Sequence, residues 1–371
     1  MADSNITPVL MPKWGLSMEE GILTEWLIEE DVEINVGDEI MEVETDKISA
    51  AVEAADAGVL RRKVGQPGET YPVRALLGVL APAEVSDTEI DAYIDAYVAP
   101  TDEDDDDSQA ASLYAFIDTA AGRLRYAQQG DQGPCVILVH GFGGDLDNWL
   151  FNIDTLAEQC RIYALDLPGH GQSVKSIEDP GLSSLASALK AFMQAADIDS
   201  AHLVGHSMGA AVAARLACDS PEMVNSLTLI AAAGLGKEIN SDYIDGFVNA
   251  ESRRQLKPVL FNLFADSDLV NRNLVDELLK YKRIDGVSKV LTQLSSALFA
   301  NGEQQNLLAQ EIAGLDINTL VIWGKDDQVI PAEHAHNLEK AKIELVDNAG
   351  HMVQMEQASR VNELILEQIL N

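Results

Sequence analysis

Basic residues are scarce in this 371-residue chain: 25 Lys and Arg stand against 61 Asp and Glu, a net charge of −36. A surface of that sign repels phosphate backbones and anionic lipid, which argues against nucleic-acid and membrane partners and favours basic protein partners or a saline setting. Aromatic residues make up only 5%, so aliphatic and alanine packing must build the core from a hydrophobic fraction of 47%. The three cysteines, Cys135, Cys160 and Cys218, have no zinc-type spacing. Their odd number and apolar flanks read as reduced core thiols in a cytoplasmic setting, and no metal site is expected. No apolar run reaches the roughly 20 residues that a membrane-spanning helix needs. The opening MADSNITPVLMPK lacks the basic-then-apolar order of a signal peptide.

The sharpest change in texture is TDEDDDD at Thr101–Asp107. Consecutive like charges repel and bury nothing, so this stretch reads as a solvated tether. Before it, short alternating segments (ITPVLM, GILTEWLIEE, EIMEVET, SAAVEA, GVLRRKV, LLGVL) are separated by turn residues, the pattern of a small all-β domain over residues 1–82. Residues 83–111 read as an acidic linker holding one short helix near 84–100. After it, over 112–371, solid apolar runs (CVILVHG, RIYALDLPG, AHLVGHS, NSLTLIAAAG, NTLVIWGKDD, KIELVDNAGH) alternate with helical patterns. Runs of that kind suit strands buried on both faces of a mostly parallel sheet. The region from about 236 to 311 is helical throughout and is expected to cap the C-terminal edge of the sheet, where open α/β sheets place their sites.

Gly205-His206-Ser207-Met208-Gly209 joins the strand-like AHLV to the helix-like AAVAARLACD. Small residues flanking a serine at a strand-to-helix turn permit a strained elbow that lifts the hydroxyl above the sheet. A serine hydroxyl needs a base. Of the seven histidines, His351 follows the last strand-like run at the same sheet edge as Ser207. His206 lies within the elbow and would point away; His140 and His170 open glycine-rich loops; His202 starts a strand; His334 and His336 fall on a helix expected to be exposed. His351 is therefore the candidate base. The acid that orients it is expected after the penultimate strand, where Asp327 is the candidate and Asp326 its neighbouring alternative. The backbone N–H groups of Phe142, in HGFGG, and Met208 are candidates for holding a carbonyl oxyanion. These elements, in the order Ser207, Asp327, His351, resemble the α/β-hydrolase superfamily with a helical cap.

The first 82 residues resemble a biotinyl/lipoyl carrier domain. The resemblance rests on LMPKWGLSMEEG, the Gly37-Asp38 turn, the Glu44-Thr45-Asp46-Lys47-Ile48 tip and Gly58 beyond it. The Asp-Lys pair points to lipoate, and the resemblance implies that Lys47 carries it in amide linkage, so that a group carrier and an acyl-transfer site share one chain. That pairing resembles the acyltransferase component of acetoin dehydrogenase complexes. The resemblance implies transfer of acetyl from lipoyl-Lys47 to coenzyme A, with a thiamine-diphosphate enzyme that cleaves acetoin and a dihydrolipoamide dehydrogenase as partners. It leaves oligomeric state open. The His-x-x-x-Asp-Gly motif of the usual lipoyl acyltransferases is absent, as is a basic subunit-binding segment near 84–110, so their docking mode is not implied. Hydrolysis of the acyl group, or a carrier role with a vestigial hydrolase domain, are the rival expectations.

Overall fold

The computed structural model describes residues 6–12, 14, 18, 20–45, 49–98 and 114–370. The chain divides into two compact units, 1–111 and 112–371, and each is described by itself.

The first unit is a pair of four-stranded antiparallel sheets. One has the order β1 (Thr7–Leu10), β8 (Leu76–Leu80), β6 (Gly58–Lys63), β3 (Glu33–Ile34). The other has the order β5 (Ser49–Glu53), β4 (Glu39–Glu44), β2 (Glu20–Trp26), β7 (Thr70–Pro72). Period-two alternation turns Leu23, Val43 and Leu60 inward to meet Met11, Ile34, Met41 and Leu77 in a single core. Strands β4 and β5 are antiparallel with Glu44 opposite Ser49. Lys47 lies outside the described residues. The helix Asp87–Ala96 begins with a capping box, Ser86 bonding the Glu89 N–H while the Glu89 carboxylate accepts from Ser86. Its fully buried Ile90 packs against Leu76 and Val79, Arg61 reaches Asp87 at 3.2 Å, Arg62 reaches Asp91 at 3.0 Å, and the Tyr97 hydroxyl donates to the Arg74 carbonyl at 2.9 Å. Folded structure therefore continues past Pro82 into the stretch read as linker.

The second unit is an eight-stranded sheet in the order β16 (Lys342–Val346), β15 (Asn318–Gly324), β14 (Val224–Ile230), β13 (Ala201–His206), β11 (Cys135–Val139), β12 (Arg161–Leu165), β10 (Gly122–Gln129), β9 (Tyr114–Thr119). The six strands from β16 to β12 are parallel, and β10 and β9 are antiparallel. All five residues of β11 are buried, as expected for a strand covered on both faces. With few aromatics available, the helix Met208–Asp219 packs on the sheet through small buried residues such as Ala210, Ala213 and Ala214. Between β14 and β15 the helices Ser241–Asn249, Arg253–Leu260, Arg272–Lys282 and Val287–Leu298 form the cap. Among the described residues no helix is long and apolar enough to cross a membrane.

Candidate active site

Ser207 sits between β13 and the helix Met208–Asp219 with φ 53° and ψ −118°, a conformation costing a non-glycine residue on the order of 1–3 kcal/mol. The surroundings hold it there. Ser207 donates its N–H to the Ile230 carbonyl at 2.9 Å, and its own carbonyl accepts from Ala233 at 3.1 Å. The flanking glycines are demanded by space: a Cβ on Gly209 would lie 2.2 Å from the Val139 oxygen, and one on Gly205 would lie 2.5 Å from Ala210 Cα. The Ser-centred motif is thus a consequence of helix and sheet backbones meeting at near contact.

His351 follows β16 and is buried. Its Nδ1 lies 2.8 Å from Asp327 Oδ2. Because a carboxylate only accepts, Nδ1 carries the proton, which in the neutral ring leaves the lone pair on Nε2. The Asp327 side chain is fully buried and receives three further donors: Trp323 Nε1–H on Oδ2 at 2.9 Å, and the N–H groups of Val329 and Ile330 on Oδ1 at 2.8 and 3.0 Å. This donor set holds a charged carboxylate away from water. Asp326 is exposed, and its recorded bond is a backbone one, to the Ala349 carbonyl at 3.0 Å.

Several residues fix this arrangement without carrying a catalytic signature in the sequence. The His206 Nε2–H donates to the His351 carbonyl at 2.9 Å, with the two rings 4.9 Å apart between centres, locking the loop of the candidate base to the elbow of the candidate nucleophile. Burial and the neighbouring His351 push its pKa well below the usual imidazole range, so it stays neutral. The Glu356 carboxylate accepts from Gly350 and from Ala265, both at 2.7 Å, tying that same loop to the cap. Asn240 caps the helix Ser241–Asn249 and bonds the Val329 carbonyl at 2.8 Å and the Gln328 carbonyl at 2.9 Å, so the cap starts on the Asp327 loop. His334, expected on an exposed helix, is instead buried, with Nε2 2.9 Å from Glu238 and its ring edge-on to Trp323. One-turn periodicity cannot show which face of so short a helix turns inward.

The HGFGG loop lies against the elbow. His140 accepts from the Leu167 N–H at 3.0 Å and bonds the Gly141 carbonyl at 2.8 Å, while Asp166 accepts from Leu146 and Gln172, so the loop is rigid. Gly141 lies against Ser207, where a Cβ would stand 3.1 Å from the serine Cβ. Among the described residues the N–H groups of Phe142 and Met208 have no hydrogen-bond acceptor. The Phe142 ring packs edge-on against Phe247 and Phe299 of the cap region, at 6.0 and 5.8 Å between ring centres. A strained serine at a strand-to-helix elbow, a buried histidine–carboxylate pair and two N–H groups without an acceptor are the parts that serine-dependent acyl transfer needs, carried on the mostly parallel, helix-covered sheet of an α/β-hydrolase fold.

Comparison with known proteins narrows the class. The family described as "alpha/beta hydrolase fold" matches residues 134–358, and the one described as "Biotin-requiring enzyme" matches residues 7–79. The dihydrolipoyllysine-residue acetyltransferase component of the acetoin cleaving system of Cupriavidus necator is 52% identical, covering 97% of this chain and 96% of its own length. Its counterpart in Pseudomonas putida is 46% identical, covering 98% of both chains. Among solved structures, a meta-cleavage product hydrolase from Pseudomonas fluorescens matches 68% of this chain and 96% of its own, with a TM-score of 0.63 and 26% identity. The chain belongs to the family of dihydrolipoyllysine-residue acetyltransferase components of acetoin cleaving systems, a lipoyl domain followed by an α/β-hydrolase-fold domain.

Proposed function

We infer that this chain is an acyltransferase that passes acetyl from lipoyl-Lys47 to coenzyme A through Ser207. The observation that carries the reading is the joining, in one chain, of a lipoyl fold to a hydrolase-fold domain that holds a buried His351–Asp327 pair and a strained Ser207, the two linked through His206. The described residues suit lipoate: β4 and β5 pair up to Glu44 and Ser49, which leaves Lys47 in the connection of a hairpin. Lipoate there supplies a thiol that carries acetyl as a thioester. His351 Nε2 takes the proton of Ser207 Oγ, which attacks the thioester carbonyl while the N–H groups of Phe142 and Met208 hold the oxyanion. Collapse expels the donor thiol, which takes the proton back from His351. The coenzyme A thiol then gives its proton to His351, attacks the acetyl-serine ester and leaves as acetyl-CoA, and Ser207 Oγ is reprotonated. An oxygen ester is more stable than a thioester, so this second half runs uphill and water must be kept from it. Ser207 is only 7% exposed and the cap rings of Phe247 and Phe299 close over Phe142, an arrangement suited to excluding water.

The family places the chain in an assembly with other components. The finer reading assigns these as the thiamine-diphosphate enzyme that cleaves acetoin and a dihydrolipoamide dehydrogenase that reoxidises the arm, in a reducing cytoplasm where Cys135, Cys160 and Cys218 stay free. The competing chemistry is hydrolysis, favoured by the likeness to the meta-cleavage product hydrolase. Incubating the lipoylated protein with acetyl-dihydrolipoamide, with and without coenzyme A, separates them. Acetyl-CoA formation that disappears in Ser207→Ala is the expected result. Free acetate released at the same rate whether or not coenzyme A is present would overturn it.

A further inference from the structure

A groove of about 500 Å³ runs along the cap between the helix Ser241–Asn249 and the end of the helix Val287–Leu298. Its volume falls within the roughly 300–1,000 Å³ of small-molecule sites. Ile239 and Ile244 give it an apolar wall and Phe299 borders it. Phe299 also lines a small inner space shared with Met208 and Gly234, and its ring meets Phe142. One aromatic ring therefore stands between the groove and the two N–H donors assigned to the oxyanion. The hydroxyls of Ser241 and Ser296 are exposed and bond to no described residue, so both can donate to or accept from a ligand in the groove.

The charge on the walls discriminates between the two substrates of the proposed reaction. Asp245 is the groove's only ionisable side chain, and no cation lines it. Coenzyme A carries phosphates, which such a groove on a chain of net charge −36 repels. An acylated lipoyl-lysine arm is neutral, mostly aliphatic, and offers an amide to match the serine hydroxyls. We propose that the groove between these two cap helices binds the lipoyl amide arm of the acyl donor, with its thioester end directed past Phe299 toward Ser207. Coenzyme A then enters by a different route. The proposal rests on the acetyl-transfer reading for the identity of the arm.

Ser296 is exposed on its helix, so Ser296→Trp fills the groove from the solvent side. With the full-length protein, the KM for free acetyl-dihydrolipoamide should rise about tenfold, equivalent to roughly 1.4 kcal/mol, while the KM for coenzyme A moves far less. Lipoamide should also inhibit p-nitrophenyl acetate hydrolysis by Ser207 in the native protein, with an inhibition constant raised by the same factor in the variant. Should Ser296→Trp fail to fold by circular dichroism, Ser296→Gln makes the same test with a smaller fill. An unchanged lipoamide inhibition constant in a folded variant overturns the proposal, as does a rise confined to the KM for coenzyme A. The inhibition constant needs no acetyl transfer, so failure of the transfer reading and failure of the groove are told apart.

Discussion

Replacing Asp327 by Asn tests the donor geometry around the candidate acid. The carboxylate accepts at both oxygens: Val329 and Ile330 N–H at Oδ1, and His351 Nδ1–H with Trp323 Nε1–H at Oδ2. An amide offers one acceptor oxygen and one donor NH₂. Two backbone donors that cannot move claim the oxygen, so the NH₂ faces His351. The imidazole must then present a bare Nδ1 and carry its proton on Nε2, where it cannot accept one from Ser207. A histidine held in the wrong tautomer lowers turnover on the order of 10⁴-fold in a serine triad, about 5.5 kcal/mol of barrier. The assay is steady-state acetyl transfer, with p-nitrophenyl acetate hydrolysis as a second substrate and a thermal melt to show that the fold is kept. Asp326→Asn, which alters an exposed side chain, is the companion variant and should stay within a few-fold of the native rate. Retention of activity within tenfold in Asp327→Asn, or a collapse confined to Asp326→Asn, would refute the reasoning.

Trp323→Phe keeps a buried ring but removes one donor from the charged Asp327 oxygen; a hydrogen bond to a charged group is worth about 1.5–3 kcal/mol, so turnover should fall roughly 10- to 100-fold with little change in donor KM. Gly209→Ala drives a methyl to 2.2 Å from the Val139 oxygen and should cost about 3 kcal/mol or more, read as a lowered urea midpoint; native stability would show that the elbow yields. His140 and His170 are fully buried, and burial depresses their pKa values to about 4 and about 3. The unfolded chain therefore takes up their protons first, below about 6.5, and stability is lost as pH falls from there toward the native values. Urea melts of the second unit should lose roughly 2 kcal/mol for each of these groups between pH 7 and pH 5, and His170→Phe should flatten that slope. Ile90→Ala removes a fully buried side chain from the contact of Asp87–Ala96 with Leu76 and Val79; a cost of about 2–5 kcal/mol should free that helix for proteolysis while the β-strands stay protected.

Much of the fold and of the candidate site was legible in the sequence because the signals are local. The solid apolar run CVILV marks a strand buried on both faces, and the residues from Gly205 to Gly209 mark a strand-to-helix turn. These depend on neighbours a few residues apart. The alternation that marks β2 and β4 works over the same range.

What remained undecided required knowing which atoms meet across long separations. The sequence by itself determined the two-part architecture and the elbow, and named candidates in the order Ser207, Asp327, His351 with a choice between two adjacent aspartates. Only the tertiary structure decided that the Asp327 carboxylate turns inward to four donors while Asp326 stays in water, since a one-residue step moves a side chain to the other face of the backbone. It also decided that His206 clips the His351 loop from 145 residues away, that His334 is buried, and that the helix Asp87–Ala96 joins the β-domain. The physical reason is the same in each case. A buried polar group is stable only where a partner awaits it, and the partner's position is a property of the packed chain rather than of the residues beside it.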